Sequence, residues 1–197
     1  MNTFVAFLKG VNIGGHKAIK MDELKKIFLT LGFTHVKTYI NSGNIVFCSH
    51  EDKEAVREQM ERAIFQHFGI SVAAVVKTAG ELLKVFAGHP FDPDTESDSS
   101  KRAVVFLSRP VASDQANVFS GDDRITERTV IRGDVLFAYY PRGFSKTRLT
   151  GDYIERRLRL TATARNWNTV CKLAEIVNSY ETENENSGKS VNLPDGS

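Results

Sequence analysis

Cysteine is nearly absent from this chain: of 197 residues only Cys48 and Cys171 are cysteines. They stand far apart without C-x-x-C spacing, which excludes a metal knuckle and a vicinal redox pair and points to a reducing cytosol. No run approaches the ~20 apolar residues of a membrane span, and the opening MNTFVAFLKG is too short and lacks the basic leader of a signal peptide. A soluble intracellular protein is therefore expected, with no membrane partner. The five histidines (His16, His35, His50, His67, His89) never take a metal-ligand spacing, so no metal site is expected. G-x-S-x-G, H-E-x-x-H, H-x-E with C-x-x-C, G-x-x-x-x-G-K-[ST] and G-x-G-x-x-G are all missing, so no motif implies a cofactor or a reaction. Asp92-x-Asp94-x-Glu96-x-Asp98 resembles the start of a calcium loop, but Ser97 replaces the required Gly and Ala103 the closing Glu, and that reading is rejected.

Net charge is only +2, yet its distribution is uneven. Arg124 to Lys172 holds eleven basic residues against Glu127, Asp134, Asp152 and Glu155, whereas Asp92 to Asp98 and Glu181 to Glu185 are acidic. Such a stretch suits phosphates or nucleic acid, or is a solvated face. A chain of this length buries roughly 70% of its surface and can hold one large or two small domains.

Periodicity favours two. Thr3 to Leu8 is a continuous apolar run of strand length. After a Gly-rich loop, Met21, Leu24, Ile27, Phe28 and Leu31 recur at three and four, Asp22 and Glu23 occupy the first turn, and Gly32 is a stop: an amphipathic helix. Strands follow at Thr34 to Ile40 and Ile45 to Cys48, joined by a turn in which Gly43 takes the left-handed position. Val56, Met60, Ala63, Ile64 and His67 mark a second helix ending at Gly69, and Ser71 to Val76 a further strand. This β-α-β-β-α-β order is the split βαβ of a ferredoxin-like sandwich. Ala79 to Ala87 forms a short helix, and the Pro-, Asp- and Ser-rich segment 88–101 a linker or exposed loop.

The pattern then recurs. Ala103 to Leu107 echoes the first strand, a helix lies near Val111 to Phe119, strands run from Ile125 to Ile131 and Asp134 to Tyr140, and a helix spans Lys146 to Arg159. Thr38-Tyr39-Ile40 and Ile45-Val46-Phe47 align with Thr129-Val130-Ile131 and Val135-Leu136-Phe137, a duplicated unit. No closing strand is evident in the second copy; TATARNWNTVCKLAEIV supplies a C-terminal helix with Trp167, Val170, Cys171, Ala174 and Val177 on its apolar line. The expected fold is α+β: tandem ferredoxin-like sandwiches, antiparallel sheets with helices on one face, plus the extra helix. Units are expected at 1–87 and 102–180, with a polar, mobile tail at 181–197.

Topology predicts a rim. In a split βαβ unit the first and second strands are parallel, so the loop Lys9 to Lys17 and the hairpin Asn41 to Asn44 leave the same sheet edge. Gly14 and Gly15 would let backbone N–H groups approach a ligand, Lys9 and Lys17 add charge, and Asn12, Asn41, Ser42 and Asn44 add directed donors. His16 is placed where a general acid or base would be useful. A second group, Arg142, Lys146, Arg148 and Arg165, could clamp a phosphate or carboxylate, with Arg165, Asn166 and Asn168 opening a helix whose N-terminus favours negative charge. The same residues also fit plainer roles: glycines shaping a turn, asparagines capping, Trp167 in the core.

LKGVNIGGHKAIKM, TYINSGNIVF and GFSKTRLT…TATARNWNTV resemble the bacterial proteins grouped as domain of unknown function 1697, over about Thr3 to Val177. The resemblance implies two ferredoxin-like units and no established activity. Lys9 stands where that family's pattern reads Arg, and lysine lacks the planar two-pronged contact. Three expectations stay open: a binding module for a small anionic ligand or, less favoured because the first unit's central strands lack an RNP-like pattern, nucleic acid; an enzyme using His16 or Lys146 as acid or base; and an assembly protein whose open sheet faces pair into a homodimer.

Overall fold

The computed structural model describes residues 1–14, 17–91, 98–115, 117–119 and 125–189, without the side chains of Lys146 and 183–189. The first unit runs β1 (Asn2–Leu8), α1 (Met21–Thr30), β2 (Thr34–Tyr39), β3 (Asn44–Ser49), α2 (Lys53–Phe68), β4 (Ala74–Thr78) and α3 (Ala79–Ala87). The second runs β5 (Arg102–Leu107), β6 (Arg128–Arg132), β7 (Val135–Tyr139), α4 (Gly151–Leu158), β8 (Ala162–Asn166) and α5 (Trp167–Lys189). Each unit contains one four-stranded sheet, in the orders β2-β3-β1-β4 and β6-β7-β5-β8, with every neighbouring pair antiparallel. These are two ferredoxin-like units, and the duplication is real.

Three expectations about the second unit change. It does have a closing strand, β8, pairing with β5 from Ala103↔Asn166 to Leu107↔Ala162. Ala-Thr-Ala-Arg-Asn lacks the β-branched and aromatic run that marks a strand, so its extended state is imposed by tertiary pairing. The segment Val111 to Phe119 holds a 3₁₀ turn at Ser113–Gln115 among its described residues. The helix expected from Lys146 begins at Gly151, because Thr150 is extended and its hydroxyl accepts the Tyr153 N–H as N-cap. Past Glu181, α5 continues to Lys189, and 190–197 lie outside the described residues.

The repeat also aligns differently from the sequence match. Tyr39↔Asn44 closes the first hairpin around a four-residue tip, whereas Arg132↔Val135 closes the second around Gly133 and Asp134 alone. Ile40 leaves the strand with φ 49°, and Gly43 follows at φ 72°. Structural equivalence therefore pairs Gly43 with Asp134 and Val46 with Phe137. The hydrogen bonds agree: Leu8 N–H donates to Gly43 O (2.8 Å) as Leu107 N–H does to Asp134 O (3.0 Å), and Lys9 N–H donates to Ala73 O (2.8 Å) as Ser108 N–H does to Thr161 O (3.0 Å). By the same register Phe7 corresponds to Phe106, Lys77 to Arg165, and the capped helix α3 to α5.

Both faces of each sheet are covered. One face of the first sheet packs Phe4, Ala6, Leu8, Ile45 and Phe47 against α1 and α2; in the second, Val105, Leu107 and Leu136 pack on α4. The opposite faces, carrying Val5, Phe7 and Val46 and then Val104, Phe106 and Phe137, meet in one shared core with α3 and α5. Burial on two faces explains why β1 and β5 read as continuous apolar runs instead of alternating. Phe7 stacks on Phe106 at 4.0 Å between ring centroids. A residue touching its own equivalent marks an approximate twofold axis, as in an isologous dimer. The faces that the homodimer and base-stacking readings would have used are thus covered within one chain.

Candidate binding site

The predicted rim forms, and much of its polarity is engaged internally. Asn12, at φ 57°, donates through Nδ2 to Asn41 O (2.7 Å) and Ile19 O (2.9 Å), while its Oδ1 accepts the Ile19 N–H (2.8 Å). Asn44 is fully buried and donates to Tyr39 O (3.1 Å) and Ser42 Oγ (2.9 Å). Lys9 pairs with Glu155 of α4 at 2.6 Å, and Lys17 donates to Ser71 O at 2.9 Å. Gly14 (φ 59°) is open, with nothing within 4 Å of a Cβ placed on it. Gly15, His16 and the side chain of Lys146 lie outside the described residues.

Arg165 is corrected in place: it belongs to β8, not to a helix N-terminus, and is 8% exposed. It reaches the rim from the other unit. Nε donates to Asn44 Oδ1, Nη1 to Thr163 Oγ1 (2.7 Å) and Ala164 O (2.8 Å), and Nη2 to Leu8 O (2.8 Å) and Ser42 O (2.9 Å). Burial pulls its pKa down to about 10, so it remains charged at neutral pH. Oxygens of the first unit hold that charge, and the guanidinium latches the hairpin. Asn166 caps α5 by accepting the Thr169 N–H (2.8 Å), Trp167 packs in the shared core, and Asn168 and Arg148 are exposed.

The twofold relation gives this latch a counterpart that sequence reading missed. Lys77, 1% exposed on β4, crosses to Asp134 at the tip of the second hairpin, as Arg165 crosses to the first. Likewise Glu155 accepts the first N–H of β8 (Ala162, 2.8 Å) and Glu61 the first N–H of β4 (Ala74, 2.9 Å). The two halves then differ. Glu155 takes Lys9 from across the interface, whereas the residue equivalent to Lys9, opposite Glu61, is Ser108. Beside Ser108 lies a cleft of about 370 Å³, walled by α2, β4, Leu107, Ser108, Asp134 and Thr161. A second, more apolar cavity of about 290 Å³ shares Lys77 and Asp134 and is lined also by Val85, Val135 and Phe137.

β4 is an edge strand, and its outward backbone is mostly blocked. Ala74 N–H goes to Glu61 and Thr78 N–H to Glu81 (2.8 Å). Residues two apart present their backbone groups the same way, so the Val76 N–H and C=O between them also point outward, into the cleft that Val76 lines. Around it, Lys53 pairs with Glu81 (2.7 Å) and Arg57 with Glu54 and Glu61 (2.7 Å to the latter). The signal in sequence was a cation at the end of each closing strand, Lys77-Thr78 and Arg165-Asn166, each just before a helix cap. It was legible only once β8 was known to be a strand.

His89 sits beside the second unit's aromatic cluster, 4.0 Å from Trp167 between ring centroids, and its Nε2 is buried with no hydrogen-bond partner among the described residues. Desolvation, then the charges of Arg102 and Arg132, lower its pKa from 6.5 to about 4, against a hydrogen bond with the Phe91 backbone. The folded state therefore binds this proton more weakly than the unfolded one. Its contribution is fully present above pH 6.5 and is lost as pH falls from 6.5 through about 4. Denaturation midpoints should decline over that window, and His89→Phe should flatten the decline relative to wild type.

Among the described residues no group of three or more His, Cys, Asp or Glu side chains could hold a metal ion, and no helix is long and apolar enough to cross a membrane. Fold and cleft together define a two-repeat α+β protein with an interface cleft between its ferredoxin-like halves. The chain belongs to the family described as "Protein of unknown function (DUF1697)", whose model matches residues 1–137. Its structure is similar to that of the conserved bacterial protein SP0830 from Streptococcus pneumoniae, with a TM-score of 0.69 at 20% identity over 89% of this chain and 98% of that one. That likeness carries the fold. No match was found among curated proteins.

Proposed function

We propose that this protein is a binding module for a small metabolite bearing an anionic group, held in the cleft between α2–β4 and the second unit. The observation that carries the reading is the broken twofold symmetry: Glu155 takes Lys9 from across the interface, whereas Glu61 takes Arg57 from its own helix, and the space beside Ser108 is open. Its volume of about 370 Å³ lies within the range of small-molecule sites. The lining favours a small molecule over a peptide strand, because Glu61 and Glu81 already occupy the edge N–H groups on either side of Val76 and leave no ladder to extend.

Amide NMR of the full chain, titrated with a panel of small carboxylates, phosphates and amino acids, tests this. The expected result is saturable shifts at Val76, Lys77, Ser108 and Thr161. Shifts confined to Gly14, Asn41 and Ser42 would return the site to the first rim, and a silent spectrum throughout would remove the binding reading.

A further inference from the structure

Resting on the reading of the cleft as a binding site, we infer that its ligand is a small zwitterion, a carboxylate and an ammonium on neighbouring atoms as in a free α-amino acid. The charges lining the cleft balance: Lys53, Arg57 and Lys77 against Glu54, Glu61 and Asp134. With Glu81 beside it on Lys53, such a wall offers no net positive field to a dianion such as phosphate. Moreover, each of the three cations is already paired, Lys53 with Glu81, Arg57 with Glu54 and Glu61, and Lys77 with Asp134. At the Lys77–Asp134 pair, whose lysine is buried, a ligand of one sign can enter only by taking one member and stranding the other, which is strongly unfavourable there. A zwitterion supplies both replacements at once, its carboxylate to the cation and its ammonium to the carboxylate.

The backbone makes the same demand. By strand alternation Val76 turns one N–H and one C=O outward at the cleft it lines, a donor for a carboxylate oxygen and an acceptor for an ammonium proton. Lys77, 1% exposed and paired with Asp134, sets one fixed charge pair in the cleft wall.

The test is calorimetric and NMR titration of the full chain with the twenty free α-amino acids, each compared with its des-amino acid and its ethyl ester, and with inorganic phosphate. At least one free amino acid should shift Val76 and Ser108, and loss of either charged group should weaken it by about tenfold or more, the worth of one charge-assisted hydrogen bond. Glu54→Gln, at an exposed position on α2 where folding is not at stake, removes one negative charge. It should weaken the amino acid and strengthen the des-amino acid. Phosphate or a des-amino acid saturating the same amides as tightly as any amino acid would overturn the zwitterion while leaving the cleft as the site. If no compound moves Val76 or Ser108, both fall together.

Discussion

Arg165→Met should destabilise the protein by about 3–5 kcal/mol, the range for stranding the partners of a buried charged group. The side chain donates to oxygens of Asn44, Leu8, Ser42, Thr163 and Ala164, so its removal takes a donor from both units in a dry interface. Arg165→Lys keeps the charge but loses the fork, and should fall between methionine and wild type. Arg148→Ala, at an exposed turn, should stay within about 0.5 kcal/mol of wild type. Chemical denaturation checks all three. Were Arg165 an anion clamp, as its setting in a basic stretch suggested, its loss would lower ligand affinity at unchanged stability.

Gly43→Ala should cost about 2–4 kcal/mol, adding left-handed strain to overpacking. Gly43 sits at φ 72°, and a Cβ there would lie 2.6 Å from Val11 Cγ2 and 2.7 Å from Leu8 Cβ, where the first loop crosses the hairpin. Gly14→Ala is the matched control. Its φ is 59° with open space around it, so only the backbone term of about 1–2 kcal/mol applies. Equal losses at the two positions would mean that the loop and hairpin do not pack as tightly as described.

The first unit was legible because its chemistry is local. Helix α1 announces itself by spacing, Gly32 and Gly43 by the turns they permit, and β1 by unbroken apolarity. From that order alone, topology placed the loop after β1 beside the hairpin, and Asn12 does reach Asn41. The second unit was less legible because β8 carries two alanines and an arginine where a strand signal needs branched or aromatic residues, and only pairing with β5 makes it a strand.

The polar roles were hidden for a different reason. Arg165 meets its partners across 121 and 157 residues of chain, and Lys9 meets Glu155 across 146. No periodicity encodes such pairings, so Arg165, Lys9 and Lys17, which looked available for an anion, turned out to be partnered inside the molecule. Lys77 escaped notice because a lysine ending an apolar strand looks like a solvent-facing terminus. Its meaning comes from the twofold relation with Arg165, which requires both closing strands to be known.

Ser108→Lys is the measurement closest to the central claim. By the twofold relation the new lysine stands where Lys9 stands opposite Glu155, and extends across the cleft toward Glu61, which it shares with Arg57. The account predicts that thermal stability holds or rises, the cleft fills, and every ligand that shifts Val76 in the wild-type protein ceases to do so. A stably folded Ser108→Lys protein that binds as wild type does would contradict it.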